Sequence, residues 1–204
     1  MNDRRGKNIL ICGVGGQGIL LASEILSTAF MEAGFDVKQS EVHGMAQRGG
    51  SVVAHLRYGD KVYSPLIEPG TADIEVAFEM LESARYLRYL HKNSTVIVNT
   101  QKIFPPSVAT GIEQYPEDIL EKLTAKRLRV IPVNALTIAQ HLGETRAVNM
   151  VLVGALSLLL PVPEKTFLGV LRNRVPARFL DVNRSAFMAG REAAGALQEV
   201  HKRR

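Results

Sequence analysis

The sequence contains little of what metal clusters and nucleic-acid binding require. Its 204 residues include one cysteine, Cys12, and no tryptophan, and only 6% of the residues are aromatic. One cysteine cannot form an intrachain disulfide, a four-cysteine iron–sulfur site or a structural zinc site. We therefore expect a cytoplasmic chain that holds no cluster of its own.

The excess of positive charge lies at the two ends of the chain. The formal net charge is +5, of which residues 1–7 contribute +2 and residues 202–204 contribute +3, so residues 8–201 are neutral. A nucleic-acid-binding domain usually carries a basic stripe on its folded face and aromatic side chains on which bases stack. We therefore expect no nucleic-acid partner.

Long apolar runs are also missing. The most apolar segment extends from Ala147 to Leu160, contains Asn149 and is followed by Pro161. Its 14 residues fall short of the roughly 20 that a membrane-spanning helix needs. We expect a buried helix in this segment and no membrane association.

What the sequence does contain is an alternation of strand and helix patterns. Residues 8–13 have the pattern of a strand that is buried on both faces, and residues 17–33 that of a helix that ends at Gly34. Further strands are predicted at 35–41, 51–58, 61–63, 73–78, 95–99 and 129–133. Helices are predicted after residue 78 as far as Leu90, from Pro116, and at 135–142, 147–160, 164–172 and 177–200.

Strands that alternate with helices predict an α/β fold with a Rossmann-like, mainly parallel sheet, flanking helices and a helical C-terminal extension. The sequence has no internal repeat, so we expect one domain over residues 1–204, with an α/β core at 8–134 and the extension at 135–200. Ligands of such folds bind outside the carboxyl ends of the strands, where the strand order reverses. The loops after the first and second strands are therefore the first candidates for a site.

The first of these loops is rich in glycine. Gly13, Gly15 and Gly18 satisfy the pattern G-x-G-x-x-G between a predicted strand and a predicted helix, and Gly16 and Gln17 lie between them. Glycine allows a positive φ and a close approach of a ligand to the backbone, and a helix N-terminus presents free N–H groups to an anion. The turn therefore predicts a phosphate or anion site. The alternative, that the glycines only pack the helix tightly against the strand, stays open.

The second loop combines charged side chains with glycine. The segment from Glu41 to Gly50 contains a carboxylate, the imidazole of His43, the guanidinium of Arg48 and the backbone of Gly49. Arg48 has the forked donor geometry that binds a phosphate or a carboxylate, and His43 can donate a hydrogen bond or move a proton. A local ion pair for Arg48 and a turn-capping role for His43 are the alternatives.

Four other residues need an interpretation. Asn149 opens the apolar helix, and because a buried amide needs partners we expect it to point toward the same crevice. Cys12 lies in a predicted buried strand without an evident charged neighbour, so we expect a core residue and not a reactive thiolate. Glu79 and Glu82 are spaced like acids on a solvated helix face, and we see no carboxylate pair placed for acid–base chemistry.

Five segments resemble one known family: Gly13 to Gly18, Ala22 to Leu26, Ser40 to Val52, Tyr63 to Ile67, and Val96 to Gln101. They are similar to the small (beta) subunits of indolepyruvate:ferredoxin oxidoreductases and, more widely, to the gamma subunits of 2-oxoacid:ferredoxin oxidoreductases. The resemblance covers most of residues 8–160 and weakens in the C-terminal helices. The glycine turn is a common motif, whereas the segment from Glu41 to Gly50 is far more specific.

The resemblance implies a subunit of an enzyme. Enzymes of this family use thiamine diphosphate to decarboxylate a 2-oxoacid, pass electrons through [4Fe–4S] clusters to ferredoxin, and transfer the acyl group to coenzyme A. The resemblance assigns thiamine diphosphate and the clusters to a large alpha subunit, so that this chain completes the active site and is inactive alone. It also allows a homodimer of the isolated chain. The residues expected to bind a cofactor or co-substrate are Gly13, Gly15, Gly16, Gln17, Gly18, Arg48, Gly49 and Asn149, with His43 as the catalytic candidate.

Three other functions stay open. An independent NAD- or FAD-dependent oxidoreductase would use the same turn, with Glu41, 23 residues after Gly18, on a ribose. A non-catalytic assembly subunit would only stabilise a large partner. A gamma-type subunit for another 2-oxoacid, such as phenylglyoxylate, a branched-chain oxoacid or pyruvate, would differ in a pocket that is lined largely by the partner.

Overall fold

The computed structural model describes residues 6–43 and 49–202, without the side chains of residues 43 and 198–202. Six strands form one sheet: β1 (Lys7–Val14), β2 (Asp36–His43), β3 (Ser51–Gly59), β4 (Ala72–Ala77), β5 (Leu90–Asn99) and β6 (Arg129–Val133). The α-helices are α1 (Ile19–Glu32), α2 (Met80–Arg85), α3 (Pro106–Ala109), α4 (Ile119–Ala125), α5 (Ala135–His141), α6 (Val148–Ser157), α7 (Glu164–Arg174) and α8 (Ala177–Lys202).

The sheet has the strand order β2-β3-β1-β4-β5-β6. Strands β1, β4, β5 and β6 are parallel neighbours, whereas β3 is antiparallel to both β1 and β2. Three of the five strand pairings are therefore parallel, which confirms the α/β fold with a mainly parallel sheet and flanking helices. The antiparallel placement of β3 was not predicted.

The placement of β3 determines what lies near the end of β1. Because β3 runs against β1, its first residue Ser51 pairs with the last residue of β1, Val14. The last residue of β2, His43, pairs with Val52. The carboxyl ends of β1, β2, β4 and β5 and the start of β3 consequently meet at one edge of the sheet, the carboxyl-end edge. Both loops predicted as site candidates leave the sheet there.

Helices cover both faces of the sheet. On the first face, α1 and α5 to α8 pack against side chains such as Ile9 and Ile11 of β1. On the second face, α2 and α4 pack against the alternate side chains of β1, Leu10 and Cys12. The C-terminal helices therefore share the core of the first face, and the predicted domain division at residue 134 stays a prediction. Within the described ranges, no helix has the length and apolar character that crossing a bilayer requires.

Two local predictions are wrong. Residues 61–63 are not a strand, because the N–H of Val62 donates at 2.9 Å to the carboxylate of Asp36 instead of to a neighbouring strand. The helix predicted as far as Leu90 stops at the end of α2, because Leu90 pairs with Ala72 and begins β5. In both places a side-chain acceptor or a strand partner distant in sequence overrides the local pattern.

Candidate functional site

One side chain braces the glycine turn after β1. The amide oxygen of Gln17 accepts the N–H of Val14 at 2.8 Å, and its amide nitrogen donates to the carbonyl of Phe78 at 2.9 Å. Both ends of the Gln17 amide are thus used within the protein, where they tie the turn to the end of β4. The ligand contact predicted for Gln17 stays a prediction.

The glycines of the turn serve different purposes. A Cβ on Gly13 would lie 2.7 Å from the Cβ of Phe78, and a Cβ on Gly18 would lie 2.5 Å from the amide nitrogen of Asn149. Packing therefore requires glycine at Gly13, whereas a side chain at Gly18 would displace the amide of Asn149. Gly16 has a φ of 102° and Gly18 a φ of 80°, which an L side chain rarely adopts. A Cβ on Gly16 would meet nothing within 4 Å, so its backbone is open to an approaching ligand.

The N-terminus of α1 opens into a groove. Gly18 is the N-cap residue, and no side chain among the described residues caps the helix. The groove has a volume of about 460 Å³ and is lined by Gly15, Gly16, Gly18, Ile19, Leu20, Glu41 and Val52. Uncapped N–H groups and the positive end of the helix dipole favour an anion at this place. The apolar side chains in the same wall favour a ligand that also has an apolar part.

The second loop returns to the sheet directly against the turn. The N–H of Gly15 donates to the carbonyl of Gly50 at 2.8 Å, and the N–H of Gly49 donates to the carbonyl of Gly15 at 3.4 Å. Gly49 therefore lies beside the glycine turn. Arg48 lies outside the described residues, and His43 is described only as the last residue of β2, so their predicted roles stay predictions.

Asn149 also reaches the turn. It is buried at the start of α6, with 4% of its surface exposed, and its amide nitrogen faces Gly18. Its amide oxygen accepts the N–H of Met150 at 2.9 Å. The structure thus brings Asn149 to the α1 side of the turn, where a buried amide helps to fix the position of Gly18.

Sequence reasoning missed a set of buried carboxylates on the second face. Glu75, Glu79 and Glu82 are 0%, 1% and 4% exposed, so the expectation that Glu79 and Glu82 are solvated is wrong. Glu79 accepts hydrogen bonds from the N–H of Ile103 at 3.0 Å and from the hydroxyl of Tyr115 at 2.6 Å. The chain that follows β5 therefore covers the start of α2 and supplies its donors.

Glu79 also caps α2. Its second carboxylate oxygen accepts the N–H of Glu82 at 3.0 Å, as an N-cap side chain does. Both oxygens of Glu79 are therefore satisfied by donors from three different segments. Burial, followed by the hydrogen bond to Glu79, raises the pKa of Tyr115, so its hydroxyl remains a donor.

The thiol of Cys12 lies in this polar region. It donates to a carboxylate oxygen of Glu75 at 3.2 Å, and the other oxygen of Glu75 has no hydrogen-bond partner among the residues that the structure describes. Burial, together with the charge of Glu82, raises the pKa of Glu75 to about 8 against the opposing effect of the thiol. Burial and Glu75 also raise the pKa of Cys12. Cys12 thus has an acidic neighbour that was not expected, and this neighbour disfavours a reactive thiolate.

A second cavity lies at the same edge, on the second face. It has a volume of about 280 Å³ and is lined by Val14, Gly49, Ser51, Glu79, Leu81, Glu82, Arg85, Ile103, Phe104, Pro105 and Pro106. Its acidic side chains are already held by donors of the protein. No group of three potential ligands in the described ranges is placed to hold a metal ion.

Comparison with known proteins matches residues 8–193 to the family described as pyruvate ferredoxin/flavodoxin oxidoreductase. The chain is 45% identical to indolepyruvate oxidoreductase subunit IorB of Archaeoglobus fulgidus, over 90% of this chain and 92% of that protein. It is 40% identical to the subunit of the same name in Thermococcus kodakarensis, over 92% of this chain and 95% of that protein.

A solved structure shares the fold. It is the 2-oxoglutarate:ferredoxin oxidoreductase from Magnetococcus marinus with 2-oxoglutarate, coenzyme A and succinyl-CoA bound, with a TM-score of 0.76 and 23% identity. The likeness covers 95% of this chain and 32% of that chain, and at this identity it concerns the fold alone. The resemblance seen in the sequence is confirmed by the length of the family match and by the two relatives. The chain belongs to the pyruvate ferredoxin/flavodoxin oxidoreductase family.

Proposed function

We propose that the chain is the small subunit of an indolepyruvate:ferredoxin oxidoreductase, which oxidatively decarboxylates an arylpyruvate to its acyl-CoA. The two relatives at 45% and 40% identity are both named as subunits of indolepyruvate oxidoreductases, which favours this substrate class over other 2-oxoacids. The chain works with a large subunit, and the clusters of that subunit pass the electrons to ferredoxin. The isolated chain is inactive.

The observation that carries this proposal is the meeting of two loops at the carboxyl-end edge. The hydrogen bond from Gly15 to Gly50 joins the glycine turn to the returning second loop. The groove at the N-terminus of α1 is bordered by the turn and by Glu41 and Val52, which lie on the strands at either end of that loop. Backbone N–H groups there, together with Arg48, are the donors that a phosphate of coenzyme A needs. The apolar wall of the groove suits the pantetheine part of the same molecule.

The cofactors belong to the partner. One cysteine in the whole chain does not fit a [4Fe–4S] cluster, which takes four thiolates. Thiamine diphosphate, held by the large subunit, supplies the electron sink for decarboxylation. This chain contributes the binding and orientation of the co-substrate, with His43 as the candidate for a proton-moving or substrate-facing role.

The sheet order disfavours the independent NAD- or FAD-dependent oxidoreductase. In dinucleotide-binding folds the strand that precedes the ribose-binding acid is the direct neighbour of β1. Here β3 lies between β1 and β2, so Glu41 on β2 is two strands from β1, or roughly 10 Å. A ribose held by Glu41 would therefore sit away from the position that it has in those folds.

The proposal is tested on the complex of this chain with its large subunit, purified from its own cells. In that complex Arg48→Ala should raise the KM for coenzyme A about tenfold or more, because a charge-assisted hydrogen bond to a phosphate is lost. The KM for the oxoacid should stay within about twofold. Arg172→Ala, at an exposed arginine of α7, is the control and should change neither constant.

Two results would count against the proposal. A rise in the KM of the oxoacid alone would show that Arg48 binds the other substrate. Recovery of the chain without a large partner, but with a stoichiometric nucleotide, would favour the independent oxidoreductase.

A further inference from the structure

A buried hydrogen-bonded group on α2 holds the start of β3. One oxygen of the Glu82 carboxylate accepts the hydroxyl of Ser51, and the other accepts the Nε–H of Arg85 at 3.0 Å. The hydroxyl of Tyr86 lies 3.0 Å from the Ser51 hydroxyl. Glu82 is 4% exposed, so its carboxylate depends mainly on hydrogen-bond donors of the protein.

Ser51 is the point at which the second loop becomes strand. The residue before it, Gly50, accepts the N–H of Gly15 at 2.8 Å, and Ser51 itself pairs with Val14 of β1. Any displacement of Ser51 therefore moves the carbonyl that holds Gly15. The bond between Ser51 and Glu82 thus contributes to the position of the glycine turn relative to the second loop, beside the hydrogen bond from Gly49 to Gly15.

This group sits where stability alone would favour an apolar side chain. A buried carboxylate carries a desolvation cost, and replacing such a group by well-packed apolar residues is often neutral or stabilising. Here the donors to Glu82 come from Ser51 on the sheet and from Arg85 one helical turn along α2. The Ser51 hydroxyl is thereby fixed beside the glycine turn. Supporting residues pre-organise a binding site in this way.

We propose that Glu82 is a positioning residue, which acts through the Ser51 hydroxyl to hold Gly50 against the glycine turn and so to shape the anion site of the turn. The inference rests on the proposed function, because it takes coenzyme A as the ligand of that site. Glu82 touches neither substrate nor cofactor in this role.

The test uses the assembled complex with Ser51→Ala. The KM for coenzyme A should rise about fivefold, while kcat and the KM for the oxoacid stay within about twofold. Ser51→Thr, which keeps a hydroxyl, should restore most of the affinity. A KM for coenzyme A unchanged by Ser51→Ala would overturn the positioning role.

Ser94→Ala is the matched control. The Ser94 hydroxyl is buried at the other end of the sheet, where it donates to the carbonyl of Ala72 at 2.7 Å and accepts the N–H of His91 at 2.8 Å. Its loss should lower the Tm without changing the KM for coenzyme A. If Ser94→Ala raised the KM for coenzyme A as much as Ser51→Ala does, the effect of Ser51→Ala would reflect a general loss of stability. The proposal would then be overturned.

A double-mutant cycle tests whether Glu82 acts through Ser51. Glu82→Gln alone should raise the KM for coenzyme A two- to threefold, and added to Ser51→Ala it should change nothing further. Additive effects would overturn the coupling. The proposed function fails separately: if Arg48→Ala also leaves the KM for coenzyme A unchanged, both proposals are wrong, whereas an effect of Arg48→Ala alone removes only the positioning role.

Discussion

The two faces of the sheet are closed to solvent by different chemistry. The first face packs aliphatic and aromatic side chains of α1 and α5 to α8 against the sheet, and Phe30, Phe167 and Phe187 are fully buried there. The second face, under α2 and α4, has the smaller core and encloses the carboxylates of Glu75 and Glu79. The first face is thus closed mainly by apolar packing, whereas the second face is closed by apolar packing and by hydrogen bonds to its buried carboxylates.

Because of this difference, the second face positions groups at the candidate site more directly than the first face does. Apolar packing is not directional, so the first face, apart from the buried amide of Asn149, stabilises the fold without fixing individual groups. A buried carboxylate requires donors at defined positions, and those of Glu79 and Glu82 come from residues at the carboxyl-end edge. Substitutions on the first face should therefore change stability through packing, whereas those on the second face should act through lost hydrogen bonds.

The largest effect is expected where α6 and α8 cross on the first face. A Cβ on Gly190 would lie 1.9 Å from the carbonyl oxygen of Val151, and one on Gly154 would lie 2.0 Å from that of Phe187. Gly190→Ala must push two backbones apart, so we expect a loss of about 4 kcal/mol or more in the free energy of unfolding. Urea denaturation measures this loss.

Gly169→Ala in α7 is the control for this crossing. A Cβ there meets nothing within 4 Å, so the exchange should stabilise the helix by about 0.5–1 kcal/mol. If Gly190→Ala cost no more than about 1 kcal/mol, the crossing would not be tight. The stability of the first face would then not depend on tight packing, and its contrast with the hydrogen-bonded second face would fail.

The sequence predicts the elements of the first face well. Apolar spacing places α1, α6, α7 and α8 within a few residues of their observed bounds, and the glycine turn lies where the pattern indicates. The direction of β3 was not predictable in this way, because a strand buried on both faces has the same local pattern whether its neighbour is parallel or antiparallel. The position of Gly50 beside Gly15 follows from that direction.

The burial of the carboxylates on the second face was largely not predictable from the sequence. Two glutamates three residues apart indicate a solvated helix face, and only the return of the chain at Ile103 and Tyr115 buries Glu79. A signal was nevertheless present in Glu75, which lies between the apolar residues Ile74 and Val76 in β4. An acid between apolar residues of a buried strand predicts a buried partner, and Cys12 on the neighbouring strand is that partner.

The second largest effect is expected at Glu79. Glu79→Ala leaves three donors without their acceptor, the N–H groups of Glu82 and Ile103 and the hydroxyl of Tyr115. We expect a loss of about 3 kcal/mol in the free energy of unfolding, because unsatisfied buried groups are costly. Urea denaturation provides the measurement, with Tyr115→Phe as the companion variant.

Tyr115→Phe removes one of the three donors and leaves the carboxylate with the other two. Its expected cost is about 1 kcal/mol. Equal losses for Tyr115→Phe and Glu79→Ala would mean that packing of the ring, and not hydrogen bonding, dominates this part of the second face.

After Gly190→Ala and Glu79→Ala, the third and smallest of the main effects is a dependence of stability on pH. Burial raises the pKa of Glu75 from 4.5 to about 8, so the folded protein keeps this proton in a range where the unfolded chain has lost it. Stability is therefore highest below the unfolded pKa and falls as the pH rises toward the folded pKa. Between pH 6 and pH 8 the expected loss from this group is about 2 kcal/mol.

Glu75→Gln isolates this contribution, since an uncharged amide does not titrate and its oxygen still accepts the thiol of Cys12. The free energy of unfolding of the variant, relative to the original chain, should rise from pH 6 to pH 8, while titrating groups that Glu75 does not influence cancel in the difference. Parallel pH curves would mean that Glu75 is ionised in the folded state. The second face would then enclose an ionised Glu75 carboxylate beside Cys12. Hydrogen bonds to the buried carboxylates, and not the protonation of Glu75, would have to account for the stability of this face.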